Sequence, residues 1–82
     1  MYDVRLENTA QREFRKLPAD QRTRVQQALI GLESNPRPPG CKKVRGTDSA
    51  YRIRVGSLRI LYTVDRDLVV VFRISPRSRA YR

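Results

Sequence analysis

The side chains of this chain that could do chemistry are mostly arginines, and three of them recur close together in the second half of the sequence. Arg52 and Arg54 are separated by one residue, and Arg59 follows five positions later. Guanidinium groups bind phosphate through paired hydrogen bonds and neutralise negative charge that develops on its oxygens. The sequence contains no histidine and only one cysteine, Cys41, which excludes a disulfide framework, a Cys/His zinc site and catalysis by imidazole. The pattern therefore favours phosphate chemistry by charge stabilisation.

Tyr81 is the best candidate for proton transfer at such a site. Arginine is a poor proton shuttle because the pKa of its side chain lies above about 12, whereas a phenol ionises near pH ~10 and neighbouring guanidinium groups favour the phenolate. RNA brings its own nucleophile, the 2′-hydroxyl group, so an enzyme need only orient it and assist the proton transfers. Asp48, Asp65 and Asp67 lie in predicted turns and make a poor cage for a divalent ion. We therefore expect no metal and no cofactor.

Positive charge is concentrated in the second half of the chain. Eighteen Lys and Arg against eight Asp and Glu give a net charge of +10 over 82 residues. Residues 1–41 carry seven basic and five acidic side chains, a net +2, whereas residues 42–82 carry eleven and three, a net +8. Positive charge concentrated in one part of a chain attracts polyanions such as nucleic acid or an acidic protein. The simpler alternative is that the charge only keeps the protein soluble.

Length and hydropathy predict a single domain over residues 1–82. The longest apolar run, 68–72, is far shorter than the ~20 residues that a membrane-spanning helix needs. No charged-then-apolar leader opens the chain. We expect a cytoplasmic protein with no membrane partner.

Two amphipathic helices are predicted in the first half of the sequence. Asn8 or Thr9 offers an N-cap for the first helix, and Gln11 stands in a capping-box position after Asn8. Pro18 ends this helix and suits the first position of the next one. Asn35, followed by proline, ends the second helix. The two helices therefore form a helical hairpin.

Four segments have the pattern of β-strands. Residues 2–6, 51–55 and 58–64 alternate apolar and polar side chains, and residues 68–75 are apolar on both faces until Arg73, which is typical of a central strand. Residues 65–67 form a polar turn between the last two. The order β-α-α-β-β-β predicts an α+β fold, in which the N-terminal strand and a three-stranded antiparallel meander form one twisted sheet under the helical hairpin.

The turn Gly56-Ser57 sets the register of the first two strands of the meander. Arg54 then faces Arg59, with Arg52 diagonal to the pair. If the following turn is a three-residue loop, Arg73 falls opposite Arg59 on the same face. Four arginines would then share a patch with no carboxylate in register to neutralise them, and we expect an anion to bind there. The alternative is a solvated face on which arginine stems cover the sheet.

Further basic groups lie on both sides of this patch in the sequence: Lys42, Lys43 and Arg45 before the meander, and Arg77 and Arg79 after it. The first three either extend the same groove or form a solvated loop. The last two, with Tyr81, either join the site or form a disordered basic tail. We expect all of them, together with Arg73, to be available for RNA.

The second half of the chain also carries a family signature. Its most specific part is Tyr-Arg-Ile-Arg-Val-Gly at 51–56, followed by Arg-Ile-Leu-Tyr at 59–62, and the segments 43–46 and 70–74 match as well. These residues resemble the RelE/ParE toxin superfamily. The N-terminal strand and the helical hairpin fit too, so the resemblance covers almost the whole chain and implies a RelE-like fold.

The resemblance also implies a function. Members of the RelE type are toxins of toxin–antitoxin pairs that enter the ribosomal A site and cut mRNA, using the 2′-hydroxyl of the substrate and no metal. An mRNA endoribonuclease (mRNA interferase) is therefore expected, with the ribosome, mRNA and a cognate acidic antitoxin as partners, and with operator DNA bound only through the antitoxin complex. By position, Arg52 and Arg54 would hold phosphates and assist proton transfer, Arg59 and Arg77 would stabilise the transition state, and Tyr81 would stack on a base or act as general base.

Three departures from the family pattern leave alternatives open. Arg52 and Arg54 stand where well-studied members carry lysines, the segment 74–77 lacks a histidine that many members have, and Arg79 competes with Arg77 for the role after the last strand. Two other functions fit the same residues: a ParE-like inhibitor of DNA gyrase without nuclease activity, and an RNA-binding module without catalysis.

Overall fold

The computed structural model describes residues 1–76, which form a five-stranded sheet and two helices. In chain order the elements are β1 (Asp3–Leu6), α1 (Asn8–Arg15), α2 (Ala19–Ser34), β2 (Lys42–Lys43), β3 (Ala50–Val55), β4 (Leu58–Asp65) and β5 (Leu68–Pro76). The α+β class, the helical hairpin and the meander of the last three strands are confirmed. Strand β2 was not predicted, because two lysines give no β-strand signal. Within the described range, neither helix is long and apolar enough to cross a membrane.

The strands lie in the order β1-β5-β4-β3-β2. Strand β1 runs parallel to β5, and every other neighbouring pair is antiparallel. The middle of the sheet is therefore β4, so the prediction that residues 68–75 form the central strand is wrong. The reason is that β1 adds to the far side of β5 while β2 adds to the far side of β3. The first five residues of β4 are all buried.

The apolar core lies between the sheet and the helices. Its buried members form one cluster: Ala10, Val25, Leu32, Ile53, Leu58, Ile60, Tyr62, Val69, Val71 and Ile74. Tyr62 is the largest fully buried side chain, and its hydroxyl donates a hydrogen bond of 2.7 Å to the carbonyl oxygen of Pro36. Burial raises the pKa of the Tyr62 phenol well above its ordinary value. This cluster therefore joins both helices and the loop after α2 to one face of the sheet.

Neither helix begins at its predicted residue. Glu7 is the N-cap of α1 and makes no side-chain cap bond, so the predicted cap at Asn8 or Thr9 is wrong. The side chain of Gln11 instead donates a hydrogen bond of 2.9 Å to the carbonyl oxygen of Leu6, the last residue of β1. Pro18 is the N-cap of α2 rather than its first residue. The end of α2 at Asn35 is confirmed.

Both turns of the meander have two residues, although only the first was predicted to be that short. Gly56 has φ +60 and occupies the first position of a two-residue turn, so the predicted register of β3 and β4 is confirmed, including Arg54 opposite Arg59. The second turn also has two residues, since Asp65 pairs with Leu68. Arg66 takes a left-handed φ of +53 there. The predicted three-residue loop at 65–67 is wrong.

A β-bulge shifts the register between β4 and β5 once more. Tyr62 pairs with Val71 but Leu61 pairs with Arg73, so Phe72 is an extra residue on β5. Together with the shorter turn, the bulge moves Arg73 opposite Leu61 and brings Ser75 opposite Arg59. The predicted pairing of Arg73 with Arg59 is therefore wrong.

Candidate nucleic-acid interface

The arginines of the meander lie on the face of the sheet that points away from the helices. Residues paired across neighbouring strands share a face, and the core residues Ile53, Ile60 and Ile74 hold the helix side. The opposite side therefore carries two rows: Arg54–Arg59–Ser75, and Lys42–Arg52–Leu61–Arg73. We call this surface, defined by Lys42, Arg52, Arg54, Arg59 and Arg73, the basic face.

The exposed fraction of the side chains differs from residue to residue across the basic face. Arg59, on the middle strand, is only 5% exposed, and Leu61 beside it is 3% exposed. Arg52 is half-buried, whereas Arg54 is exposed. Burial limits the rotamers that Arg59 can adopt and lowers the dielectric around its charge. Arg59 is therefore suited to act as a fixed positive charge, and Arg54 as an accessible phosphate ligand.

A cleft of about 230 Å³ lies where β3 turns into β4. Its lining includes Arg54 and Arg59 together with the turn residues Gly56 and Ser57. Like charges directly opposite each other on neighbouring strands are mildly destabilising, and an anion bound between them removes that repulsion. We call this space the turn cleft. The sequence indicated its two arginines but not that the turn itself forms its wall.

Arg73 has a carboxylate partner that the sequence did not reveal. Its Nε donates a hydrogen bond of 3.0 Å to Oε2 of Glu13, and Oε1 of Glu13 accepts a 2.7 Å bond from the backbone N–H of Ile74. The expectation that no carboxylate neutralises the four arginines is therefore wrong for Arg73. The partner comes from α1, 60 residues away along the chain, and no local pattern could have indicated it.

The lysines that precede the meander do not act together. Lys42 pairs with Arg52 and so lies on the basic face, at its exposed margin. Lys43 pairs with Tyr51, and Tyr51 packs against the core on the helix face of the sheet. Arg45 is exposed in the turn after β2. Of the three, only Lys42 extends the row of arginines by register.

The other predicted site residues, Arg77, Arg79 and Tyr81, lie outside the described residues. The described chain ends at Pro76, which pairs with Leu58 at the start of β4. Leu58 adjoins Arg59 and belongs to the lining of the turn cleft. The assignments to the three residues beyond Pro76 stay predictions.

A contact between Arg37 and Tyr51, on the helix side of the sheet, was not predicted. The guanidinium carbon of Arg37 lies 5.2 Å from the ring centre of Tyr51, and its Nε donates a 3.1 Å hydrogen bond to the Tyr51 hydroxyl. The ring of Tyr51 stacks on Tyr62, with 5.9 Å between centres. The hydrogen bond to Tyr51 raises the pKa of Arg37 above its ordinary value. These contacts hold the proline-rich loop against the sheet.

Comparison with known proteins agrees with this architecture over nearly the whole chain. The family model of the ParE toxin of type II toxin–antitoxin systems matches residues 4–81. RelE1 of Methanocaldococcus jannaschii is 27% identical over 86 residues, which cover 99% of this chain and 96% of the relative.

Two solved complexes contain a chain of the same fold. One is the RelE–RelB complex from Pyrococcus horikoshii, with a TM-score of 0.83 and 27% identity over 96% of this chain and 98% of the other. The second is the RelBE toxin–antitoxin complex of Escherichia coli, with a TM-score of 0.82 and 26% identity over 96% and 100%. This chain therefore belongs to the RelE/ParE superfamily of toxins from type II toxin–antitoxin systems.

Proposed function

We propose that this toxin is a ribosome-dependent endoribonuclease that cleaves mRNA in the A site. The observation that carries the proposal is the direct pairing of Arg54 with Arg59 across the turn cleft. Arg52 lies on the same face, two residues away along β3. Guanidinium groups at these positions can bind the scissile phosphate and stabilise the negative charge that develops on its oxygens as the bond breaks.

The reaction requires no nucleophile from the protein. The 2′-hydroxyl of the nucleotide before the scissile bond attacks the phosphorus atom, a 2′,3′-cyclic phosphate forms, and the bond to the 5′-oxygen of the next nucleotide breaks. The proton of the 2′-hydroxyl goes to a general base, and the 5′-oxygen gains a proton as it leaves. We assign phosphate binding to Arg52 and Arg54 and transition-state stabilisation to Arg59 and Arg77.

Proton transfer is assigned to Tyr81, since the guanidinium groups hold their protons too strongly to act as bases. The same phenol could instead stack on a base of the codon, as the family resemblance implies. Lys42, Lys43, Arg45, Arg73 and Arg79 are assigned to the RNA backbone. Of these, Arg73 already has the Glu13 carboxylate at 3.0 Å, so we expect the weakest effect on RNA binding there.

We also infer that a cognate acidic antitoxin neutralises this toxin. The relatives from Pyrococcus horikoshii and Escherichia coli were solved as complexes of RelE with RelB, and the net charge of +10 favours an acidic partner. Operator DNA would be bound only through the antitoxin complex. Ribosomes and mRNA are cytoplasmic, and this function places the toxin there.

The proposal is tested with purified toxin and ribosomes programmed with a defined mRNA. Arg54→Ala and Tyr81→Ala should each lower the cleavage rate. For Arg54→Ala, which removes a group that stabilises negative charge, the rate should fall by about 10²–10³-fold. Arg59→Ala removes a buried residue, so Arg59→Lys is measured beside it, with urea unfolding to check that both variants fold. Arg12→Ala, on α1, removes an exposed arginine and serves as the charge control. Wild-type cleavage by Arg54→Ala and Tyr81→Ala would contradict the assigned roles.

One observation favours a second function, inhibition of DNA gyrase. The family model that matches residues 4–81 is described as the ParE toxin of the parDE system. A gyrase inhibitor would damage DNA in cells while mRNA stays intact. In that case neither the wild-type toxin nor Arg54→Ala would cut mRNA. Supercoiling assays with purified gyrase separate the two functions directly.

A further inference from the structure

One side of α2 faces the turn end of the β3–β4 hairpin. Ala28 and Gly31 line a groove of about 420 Å³ together with Ile53, Arg54 and Val55. Arg24 lies four residues before Ala28, so it occupies the same side of the helix, one turn closer to the hairpin turn. We call this space the α2 groove.

The guanidinium group of Arg24 reaches the hairpin turn itself. Its Nη1 lies 3.6 Å from the position that a β-carbon on Gly56 would occupy. Gly56 has φ +60, which favours glycine, and the lack of a side chain leaves its backbone open to Arg24. Arg24 was not among the site residues predicted from sequence, because its neighbours on α2 give no signal that distinguishes it from other exposed arginines.

Arg54 joins the two spaces. It lines the turn cleft with Arg59, Gly56 and Ser57, and it lines the α2 groove with Ala28 and Gly31. Arginines from three elements, Arg24, Arg54 and Arg59, therefore lie around one turn. Among residues 1–76, the carboxylates that lie within 4.0 Å of a guanidinium nitrogen belong to Asp3 and Glu13, and their partners are Arg5 and Arg73. Arg24 and Arg54 thus keep their charge available to an incoming anion.

We propose that Arg24 and the backbone of the Gly56-Ser57 turn, beside Arg54, form a phosphate subsite, which binds a phosphodiester group of the RNA next to the one that is cut. The inference rests on the proposed function, because it continues the RNA strand beyond the turn cleft. Guanidinium groups and turn N–H groups are both suited to phosphate oxygens. The α2 groove beside them has proline and aliphatic walls from Pro38, Pro39 and Ile53, against which the neighbouring nucleobase can lie.

Binding to RNA that cannot be cut tests the subsite apart from cleavage. The probe is a fluorescent RNA hexamer with 2′-O-methyl groups at every position, titrated with the whole toxin at several salt concentrations. Arg24→Ala should weaken binding about 5-fold or more and reduce the slope of log K against log salt by roughly 0.7, the value for one phosphate contact in single-stranded nucleic acid. Arg12→Ala removes the same charge from α1, which packs on β5, and should leave the slope unchanged. Arg24→Lys keeps the charge and should recover part of the loss.

Backbone N–H signals locate the contact. In ¹H–¹⁵N correlation spectra, the hexamer should shift the Gly56 and Ser57 resonances in the wild type, and Arg24→Ala should reduce those shifts. Equal binding and equal shifts in Arg24→Ala and Arg12→Ala would overturn the subsite. Displacement of the hexamer by a hexaglutamate peptide with the same dependence on Arg24 would instead assign the site to a carboxylate-bearing partner. If Arg24→Ala weakens binding while wild-type toxin leaves ribosome-bound mRNA intact, the subsite stands and the endoribonuclease proposal fails.

Discussion

Glu13 makes two hydrogen bonds whose removal should clearly lower the stability of this fold. Strand β1 pairs with β5 only as far as Leu6 opposite Val71, so the backbone of Ile74 lies beyond the end of its parallel neighbour. The Glu13 carboxylate accepts the Ile74 N–H at 2.7 Å and the Arg73 Nε at 3.0 Å. One side chain of α1 therefore completes the hydrogen bonding at the end of β5, where the strand leads to the predicted tail residues.

Replacing Glu13 by alanine should lower the free energy of unfolding by about 2–3 kcal/mol. A hydrogen bond to a charged group contributes about 1.5–3 kcal/mol, and two are lost. The sum is reduced because the Arg73 and Glu13 side chains are 33% and 23% exposed, so water partly replaces the carboxylate. Glu13→Gln keeps a neutral acceptor for one of the two donors and should cost about 1 kcal/mol.

Urea denaturation followed by circular dichroism measures these changes, and a double-mutant cycle with Arg73→Ala isolates the ion pair. We expect a coupling free energy of about 0.5–1 kcal/mol between positions 13 and 73, with the remaining loss in Glu13→Ala due to the Ile74 N–H. Glu7→Ala is the matched control, because Glu7 is exposed and makes no side-chain cap bond, and it should stay within about 0.5 kcal/mol of wild type. If Glu13→Ala were no less stable than Glu7→Ala, or if the coupling were zero, the role of Glu13 would be refuted.

Tyr62 and two glycines give further measurable predictions. Tyr62→Phe should lose about 1–2 kcal/mol of stability, because the Pro36 carbonyl loses its 2.7 Å partner, whereas Tyr51→Phe loses only an exposed bond from Arg37 and should lose under about 0.5 kcal/mol. The pKa of Tyr62 is raised in the folded state. The contribution of the Tyr62 hydroxyl to the free energy of unfolding is therefore complete below the pKa of the unfolded chain, about 10, and falls as the pH rises above that value. A wild-type stability that declines no faster than that of Tyr62→Phe at high pH would contradict this. Gly56→Ala should destabilise the protein by about 1–2 kcal/mol because of its φ of +60. Gly31→Ala, in α2 with nothing within 4 Å of the added carbon, should stabilise it by about 0.5–1 kcal/mol, and thermal unfolding that gave both the same sign would refute the comparison.

The arginines on β3 and β4 could be assigned to one face from sequence because the contacts between them are local. A two-residue turn with glycine in its first position determines which residues of the two strands face each other, and the alternation of the strands then determines the side. Arg52, Arg54 and Arg59 follow from these two rules. The same reasoning failed for Arg73, because a turn that is shorter by one residue and a bulge at Phe72 each moved the register.

The sequence by itself determined the two helices, the β3–β4 hairpin and the common side of three arginines, since each helix and the hairpin depend on spacing over fewer than twenty residues. The tertiary structure alone decided that β4 is the middle strand, that Glu13 neutralises Arg73, and that Arg24 reaches the Gly56 turn. The position of β1 beside β5, the Glu13–Arg73 pair and the approach of Arg24 to Gly56 join segments more than twenty residues apart, so they depend on how α1 and α2 pack over the sheet. Patterns of polarity determine which face of a helix is buried, but they do not determine which residue on the sheet its polar side chains reach.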